Sequence, residues 1–226
     1  MLTILCFLLT ISAYWGAKWC YKKTRKVYLS PLIIAPLIIM TILVLCHITY
    51  DTYNQGAKWL TAILQPATVA LAIPLHRYYS VLKKYFGEIL ISVFLGSTIS
   101  ILTSFCMALL VHLNKDLITS IIPYSITTPI AMGVSDKIGG TPSITAVFVI
   151  ITGISGTLLG PWIIRLFHFK SDIAKGVLLG TSSHGAGTSK AMELSSTSGA
   201  ISSICMVLAA ILIFCETPLI YWHFLN

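Results

Sequence analysis

Charge is what this sequence has least of. Seven acidic side chains and fifteen Lys and Arg make up 10% of its 226 residues, while 56% are hydrophobic. Soluble globular chains carry about 25% charged residues and roughly 45 to 50% apolar ones. That is too little charge to cover a soluble fold, so the composition excludes one. Also lacking is any CxxC pair: Cys6, Cys20, Cys46, Cys106, Cys205 and Cys215 all lie in or beside apolar stretches. Neither a disulfide framework nor a zinc site has that spacing, and the six read as packing residues. No phosphate loop, metal-ligand spacing or pairing of a nucleophile with a base occurs, so no metal, no cofactor and no enzyme activity is expected.

The length fits one domain, or one built from two small halves, with no room for an appended catalytic module. A net charge of +8 could indicate nucleic acid, but the cations sit in short tracts between apolar runs. Cytoplasmic loops of membrane proteins look like this, and no nucleic-acid partner is expected. Residues 1–17 are apolar, and Lys18, Lys22, Lys23, Arg25 and Lys26 follow them. A cleavable signal peptide has its cations before the apolar core, so the segment is expected to be a membrane helix with its N-terminus outside.

A membrane helix needs roughly 20 apolar residues. Clear candidates are 1–20, 31–50, 89–112, 142–164 and 199–222, and three interrupted segments accompany them. These are 58–76 with Pro66 and Pro74, 117–138 with Pro123, Pro129 and Gly133, and 174–194 with Gly180, Gly185 and Gly187. Breaks free backbone groups that lipid cannot satisfy, so they belong inside protein or beside water.

Eleven of the fifteen cations fall in 18–26, 75–88 and 165–175, which are expected to be cytoplasmic. Loops two and three share a side only if 117–138 dips in and returns, although Lys137 argues the other way. The segments 31–50, 58–76 and 89–112 then run opposite to 142–164, 174–194 and 199–222, each triplet with its broken member in the middle. Inverted repeats of this kind point to a secondary transporter whose site lies where the breaks meet. The expected fold is an all-α integral membrane protein with about seven transmembrane helices plus a re-entrant hairpin. Its parts are an N-terminal helix and basic loop (1–30), a first inverted repeat (31–112), the re-entrant or broken segment (117–138) and a second inverted repeat (142–224).

The richest stretch is GTSSHGAGTSKAMELS, Gly180 to Ser195. Thr181, Ser183 and Thr188 supply hydroxyls, Gly185 allows close backbone approach, and a half-helix start would attract a carboxylate. If the helix holds through the glycines, Thr181, His184 and Thr188 share one face. His184 is either satisfied structure or a proton relay, since ionisable groups within spans mark pathways. Lys190 and Glu193 form an i,i+3 pair that either neutralises the end of the span or takes part in ion coupling. The second stretch offers Ser125, Thr127, Thr128 and Pro129. The third is the break at Gln65 and Thr68, where Gln65 faces either the same cavity or a neighbouring helix. Gly153, Gly156 and Gly160 are a packing signal.

The runs IIPYSITTPIAM (121–132), GGTPSITAVFV (139–149), GTSSHGAGTSKAMEL (180–194) and GAISSICM (199–206) resemble those of the LrgB/CidB family of bacterial membrane proteins. The likeness covers nearly the whole chain. Ser30 stands where relatives often carry Asn, and Gly185 and Ser189 replace alanines. The resemblance implies a multi-pass protein of the bacterial plasma membrane. It also implies a holin/antiholin-like role in murein hydrolase control and autolysis, with a smaller LrgA/CidA-type membrane partner and a possible homo-oligomer. Related proteins, including a chloroplast fusion of the two parts, are described as carriers of pyruvate, glycolate and glycerate. The repeat architecture favours a carrier of small carboxylates.

Overall fold

The computed structural model describes residues 2–24, 29–70 and 72–224, and among them it contains eleven helices and no strand. Four are long and apolar enough to cross a membrane: Thr3–Thr24, Phe86–Leu110, Pro142–Leu166 and Ser196–Leu219. At 1.5 Å per residue a 25-residue helix measures about 37 Å, more than the roughly 30 Å of hydrocarbon in a bilayer. The chain divides into two compact units, 1–72 and 73–226.

In the first unit α1 (Leu2–Thr24) packs on α2 (Pro31–Leu45) and α3 (Tyr50–Ala70). Gly56 of α3 lies so close to the Thr3 carbonyl that no side chain fits between them, and the Thr10 and Tyr53 hydroxyls meet at 3.0 Å. The proline break expected in 58–76 takes a different form, because α3 continues helically through Pro66. The backbone of Gln65 and Thr68 is therefore helical, and their side chains lie outside the described residues.

The second unit holds α4 (Ala72–Arg77), α5 (Tyr79–Lys84), α6 (Phe86–Leu110), α7 (Lys115–Ile121), α8 (Thr128–Lys137), α9 (Pro142–Leu166), α10 (Asp172–Leu194) and α11 (Ser196–Phe224). Helices α2, α6 and α9 stop in the same way. Each ends in Leu-x-His followed by an apolar residue: Leu45 to Ile48, Leu110 to Leu113 and Leu166 to Phe169. His47, His112 and His168 take left-handed φ values of 50°, 54° and 53°. The next N–H of each then reaches back five residues, Ile48 to Leu43, Leu113 to Ala108 and Phe169 to Ile164, at 2.9, 3.0 and 3.0 Å. This closure satisfies carbonyls that a helix end leaves orphaned. It also ends the expected 31–50 span at Leu45, leaving α2 only 15 residues long.

Helices α7 and α8 have 7 and 10 residues, about 10 and 15 Å, so neither crosses a bilayer. The chain that leaves Ser120 returns to it. Thr141 N–H donates to Ser120 Oγ at 2.7 Å, and Thr145 Oγ1 donates toward the Ser120 carbonyl and Ser135 Oγ at 2.9 and 2.7 Å. These buried contacts close the base of a hairpin over 120–141; α7 leads into it, and its tip is the turn 122–127 that passes the chain to α8.

A second hairpin lies inside α10. Its backbone leaves helical geometry at Ser183 (φ −141°, ψ 16°) and His184 (φ 40°, ψ −129°). A straight helix would put the two ends of this segment about 34 Å apart, yet Ser198 Oγ, itself bonded by Ser195 Oγ at 3.0 Å, donates to the Asp172 carbonyl at 2.9 Å. Gly187 likewise packs on the Leu179 backbone. The segment expected to span at 174–194 therefore doubles back.

This alters the expected second triplet. Helix α11 starts at the base of the α10 hairpin and ends beside the other one, where Lys137 stacks on Phe214 at 5.0 Å and Lys115 on Tyr221 at 5.4 Å. Ile89 and Val93 pack with Ile201 to Ala209, while Ile101 and Phe105 pack with Ala210 and Ile213. The contacts advance in the same sense, so α11 runs parallel to α6, contrary to the reading of opposed triplets. Helix α9 runs the other way, from Thr145 at the base of the α7–α8 hairpin to Ile164 beside Leu179 and Ala191. Of the cysteines read as packing residues, Cys6 and Cys205 are buried, whereas Cys20, Cys46, Cys106 and Cys215 are exposed.

Candidate functional site

The glycines of α9 determine where the second tip can lie. A Cβ at Gly153 would stand 3.1 Å from His184 Cε1, one at Gly156 would overlap Ser183, and one at Gly160 would come within 2.5 Å of Leu179. What reads as a helix-packing signal is thus the seat of a hairpin tip. His184 is 8% exposed and its Nε2 lies 3.1 Å from the Val149 carbonyl. A carbonyl only accepts, so the proton sits on Nε2. The imidazole bolts the tip to mid-α9 and holds a backbone conformation that side chains disfavour.

The break falls on Ser183 and His184 rather than on a glycine, and this redistributes the expected face. Thr181 ends the first arm, His184 points into α9, and Thr188 turns to α11, its hydroxyl 2.9 Å from Ser202 Oγ and within 3.9 Å of Met206 Sδ. Ser183 is buried with its Oγ 3.0 Å from that of Ser182. Gly185 opens the second arm with free space where a Cβ would go. An arm restarting there has first-turn N–H groups that its own carbonyls cannot accept.

The tips of the two hairpins share a cleft of about 420 Å³, lined by Gly96, Ser100, Tyr124, Thr152, Thr181 and Ser182 among others. Tyr124 comes from the first tip, and Thr181 and Ser182 from the second. Ser100 Oγ donates to the Tyr124 hydroxyl at 3.0 Å. Gly96 lets Thr181 approach α6, since a Cβ there would sit 3.0 Å from Thr181 Cγ2. A neighbouring cleft of about 290 Å³ shares Tyr124 and Thr152. No residue lining either cleft carries a formal charge, so polarity comes from hydroxyls. The larger volume lies in the range of small-molecule sites, about 300 to 1,000 Å³.

Of the other expected residues, Ser125 is buried in the first tip with its Oγ lacking a hydrogen-bond partner among the described residues. Thr127 caps α8 by position, and Thr128 and Pro129 open that helix. Lys190 and Glu193 pair at 2.6 Å on the second arm, near the base rather than the tip. Gln65 and Thr68 belong to the first unit. The sequence reading missed Tyr124, Ser100 and Thr152. A hydroxyl in an apolar helix is ordinary, as when Thr152 bonds the Phe148 carbonyl at 2.8 Å, so only the folded tips single these out.

At the base of the second hairpin the Lys175 ammonium, 2.9 Å from Asp172, holds that carboxyl below its ordinary range. The Ser195 contact lowers it further, against a smaller opposing effect of burial.

A sequence model of the LrgB-like family matches residues 10–222. The chain belongs to that family. This LrgB-like protein is 53% identical over 215 residues to YwbG of Bacillus subtilis, covering 95% of this chain and 96% of that protein. It is 38% identical to the holin-like protein CidB of Staphylococcus epidermidis and 37% identical to that of Staphylococcus aureus, over 92% of this chain and 91% of each. No solved structure matches it. The hairpins and their shared cleft all lie within the span matched to the LrgB-like family.

Proposed function

We propose that this protein is a secondary transporter, or the transport subunit of one, for small monocarboxylates of the pyruvate or glycolate type, in the bacterial plasma membrane. The observation that carries the reading is the meeting of two oppositely based hairpins at a hydroxyl-lined cleft. Irregular backbone at membrane depth is tolerated where it lines a cavity, and paired interruptions in opposed halves mark transport sites. The repeat unit is then a hairpin followed by a long helix: α7–α8 with α9, and α10 with α11. With the three basic loops cytoplasmic and the N-terminus outside, α1, α6, α9 and α11 cross, and α2 with α3 carries the chain outward and back between the first two basic loops. The first hairpin re-enters from outside and the second from the cytoplasm. Tyr124, Ser100 and Thr181 would hold the substrate, with first-turn N–H groups near Gly185 facing its carboxylate.

The direct test is exchange of labelled pyruvate or glycolate by proteoliposomes, with and without a small LrgA/CidA-type partner. Tyr124→Phe combined with Thr181→Val should abolish exchange in a folded protein, and absence of exchange by the wild-type chain under every gradient sinks the reading. The naming of CidB relatives as holin-like favours a second reading, a regulator or pore component of autolysis that acts as an oligomer. That role predicts non-selective leakage of trapped dye and no saturation with substrate.

A further inference from the structure

Six of the seven acidic residues, Asp51, Glu88, Asp116, Asp136, Asp172 and Glu193, stand in the first or last turn of a helix. Glu216 does not. It lies twenty positions into the 29-residue α11. Its Oε1 accepts a hydrogen bond from Thr98 Oγ1 at 3.1 Å, and Oε2 is buried without a hydrogen-bond partner among the described residues.

Thr98 is the midpoint of α6, and Gly96 beside it meets the tip residue Thr181. Glu216 thus sits at the depth of the cleft. Residues two apart on a helix point about 160° from each other, which puts the carboxyl behind α6, on the face away from the cleft. The Thr98 hydroxyl of α6 is its partner, and the charged groups brought to this stretch of α11 by the first hairpin, Lys137 and Lys115, stack on Phe214 and Tyr221 instead. The arrangement suits a carboxylic acid, with Oε1 accepting from a hydroxyl and Oε2 carrying the proton. An ionised carboxylate at this depth with only hydroxyl donors would be costly.

We propose that Glu216 is a proton-binding site that couples proton movement to transport through the cleft; the coupling rests on the transport reading above. One proton adds to Oε2 from the water on one side, and the same proton leaves to the other side, with no other bond changed. Helix α11 supplies the linkage, because its Ser202 and Met206 hold Thr188 in the second arm of the α10 hairpin. A change of charge at Glu216 shifts the helix on which that arm rests.

The test uses the full chain in liposomes and two readouts. Dicyclohexylcarbodiimide, which modifies protonated carboxyls in apolar surroundings, should label Glu216 in a manner that fades as pH rises and vanishes in Glu216→Gln. A gradient of one pH unit supports accumulation of up to about tenfold by one-proton symport. Wild type should accumulate labelled pyruvate or glycolate, whereas Glu216→Gln should exchange it between equal pools yet accumulate none. Accumulation by Glu216→Gln equal to wild type overturns the proposal, as does loss of both exchange and accumulation in Glu216→Gln and Glu216→Asp alike. Should wild type move no monocarboxylate, the transport reading and the coupling built on it fail. Labelling then still decides the proton site: pH-dependent modification of Glu216 supports it and pH-independent or absent modification overturns it.

Discussion

Ser198 Oγ donates to the Asp172 carbonyl at 2.9 Å across 26 positions of sequence, because the chain between them turns back at Ser183 and His184. That contact latches the base of the hairpin whose tip forms one wall of the cleft, and the Asp172–Lys175 pair at 2.9 Å braces the first turn of the arm that makes it.

The latch is acid-sensitive. Lys175 and Ser195 depress the Asp172 carboxyl in the folded state, so its contribution is full above the ordinary carboxylate pKa and is lost as pH falls through the depressed folded value. Protection of the amides of 172–176 and 195–198, measured against their intrinsic exchange rate at each pH, should fall on acidification below that range. Asp172→Asn should show the lower protection already at neutral pH and little further loss with acid.

Two glycines should respond in opposite directions to the same substitution. A methyl group at Gly156 collides with Ser183, whereas one at Gly133 in α8 meets nothing within 4 Å. Gly156→Ala should destabilise by about 1 to 3 kcal/mol. Gly133→Ala should stabilise by about 0.4 to 1 kcal/mol through lost freedom of the unfolded chain. Thermal unfolding in detergent checks both, and equal shifts would contradict the described seat of the tip.

His184 offers a separation of strain from bonding. Its φ of 40° with ψ of −129° is open to glycine and unfavourable to alanine. His184→Gly loses the bond to Val149, about 0.5 to 1.5 kcal/mol, but relieves strain of about 1 to 3 kcal/mol. His184→Ala loses the bond and keeps the strain. The glycine variant should therefore melt at the higher temperature, an order that a plain kinked helix would not produce.

At the other base, Thr145 is fully buried among Ser120 and Ser135. Thr145→Val keeps the shape and strands those partners, at a cost of about 1 to 3 kcal/mol. Limited proteolysis within 120–140 should report the loosened hairpin, and unchanged resistance would argue against this closure.

The sequence carried the membrane class, the long helices α1, α6, α9 and α11, and the existence of breaks, because apolar run length and proline or glycine content are local signals. The expectation that 117–138 does not cross comes from charge counting, through Arg77, Lys83 and Lys84 against Arg165, Lys170 and Lys175. The shortness of α7 and α8 agrees with it, while the side of the membrane from which the segment enters belongs to the proposal. The reversal at His184 was not legible, since a single residue at positive φ leaves no compositional trace. Missing it reversed the expected direction of α11 and placed Thr188 on the cleft instead of against Ser202. The stops at His47, His112 and His168 went unread for a related reason: glycine is the usual signal for a left-handed helix end. Glu216 escaped notice because its distinction lies in the α6 hydroxyl opposite, that of Thr98, 118 positions away.

Under the transport reading proposed above, the hairpins enter the bilayer to part of its depth, and this has an electrical consequence. Under the proposed orientation each replaces only part of the insulating layer, so water can approach the tips from both faces and the membrane voltage falls mainly across the narrow septum between them. An anion passing that septum travels a short distance yet traverses nearly the whole potential, worth about 2.3 kcal/mol per 100 mV for each unit charge.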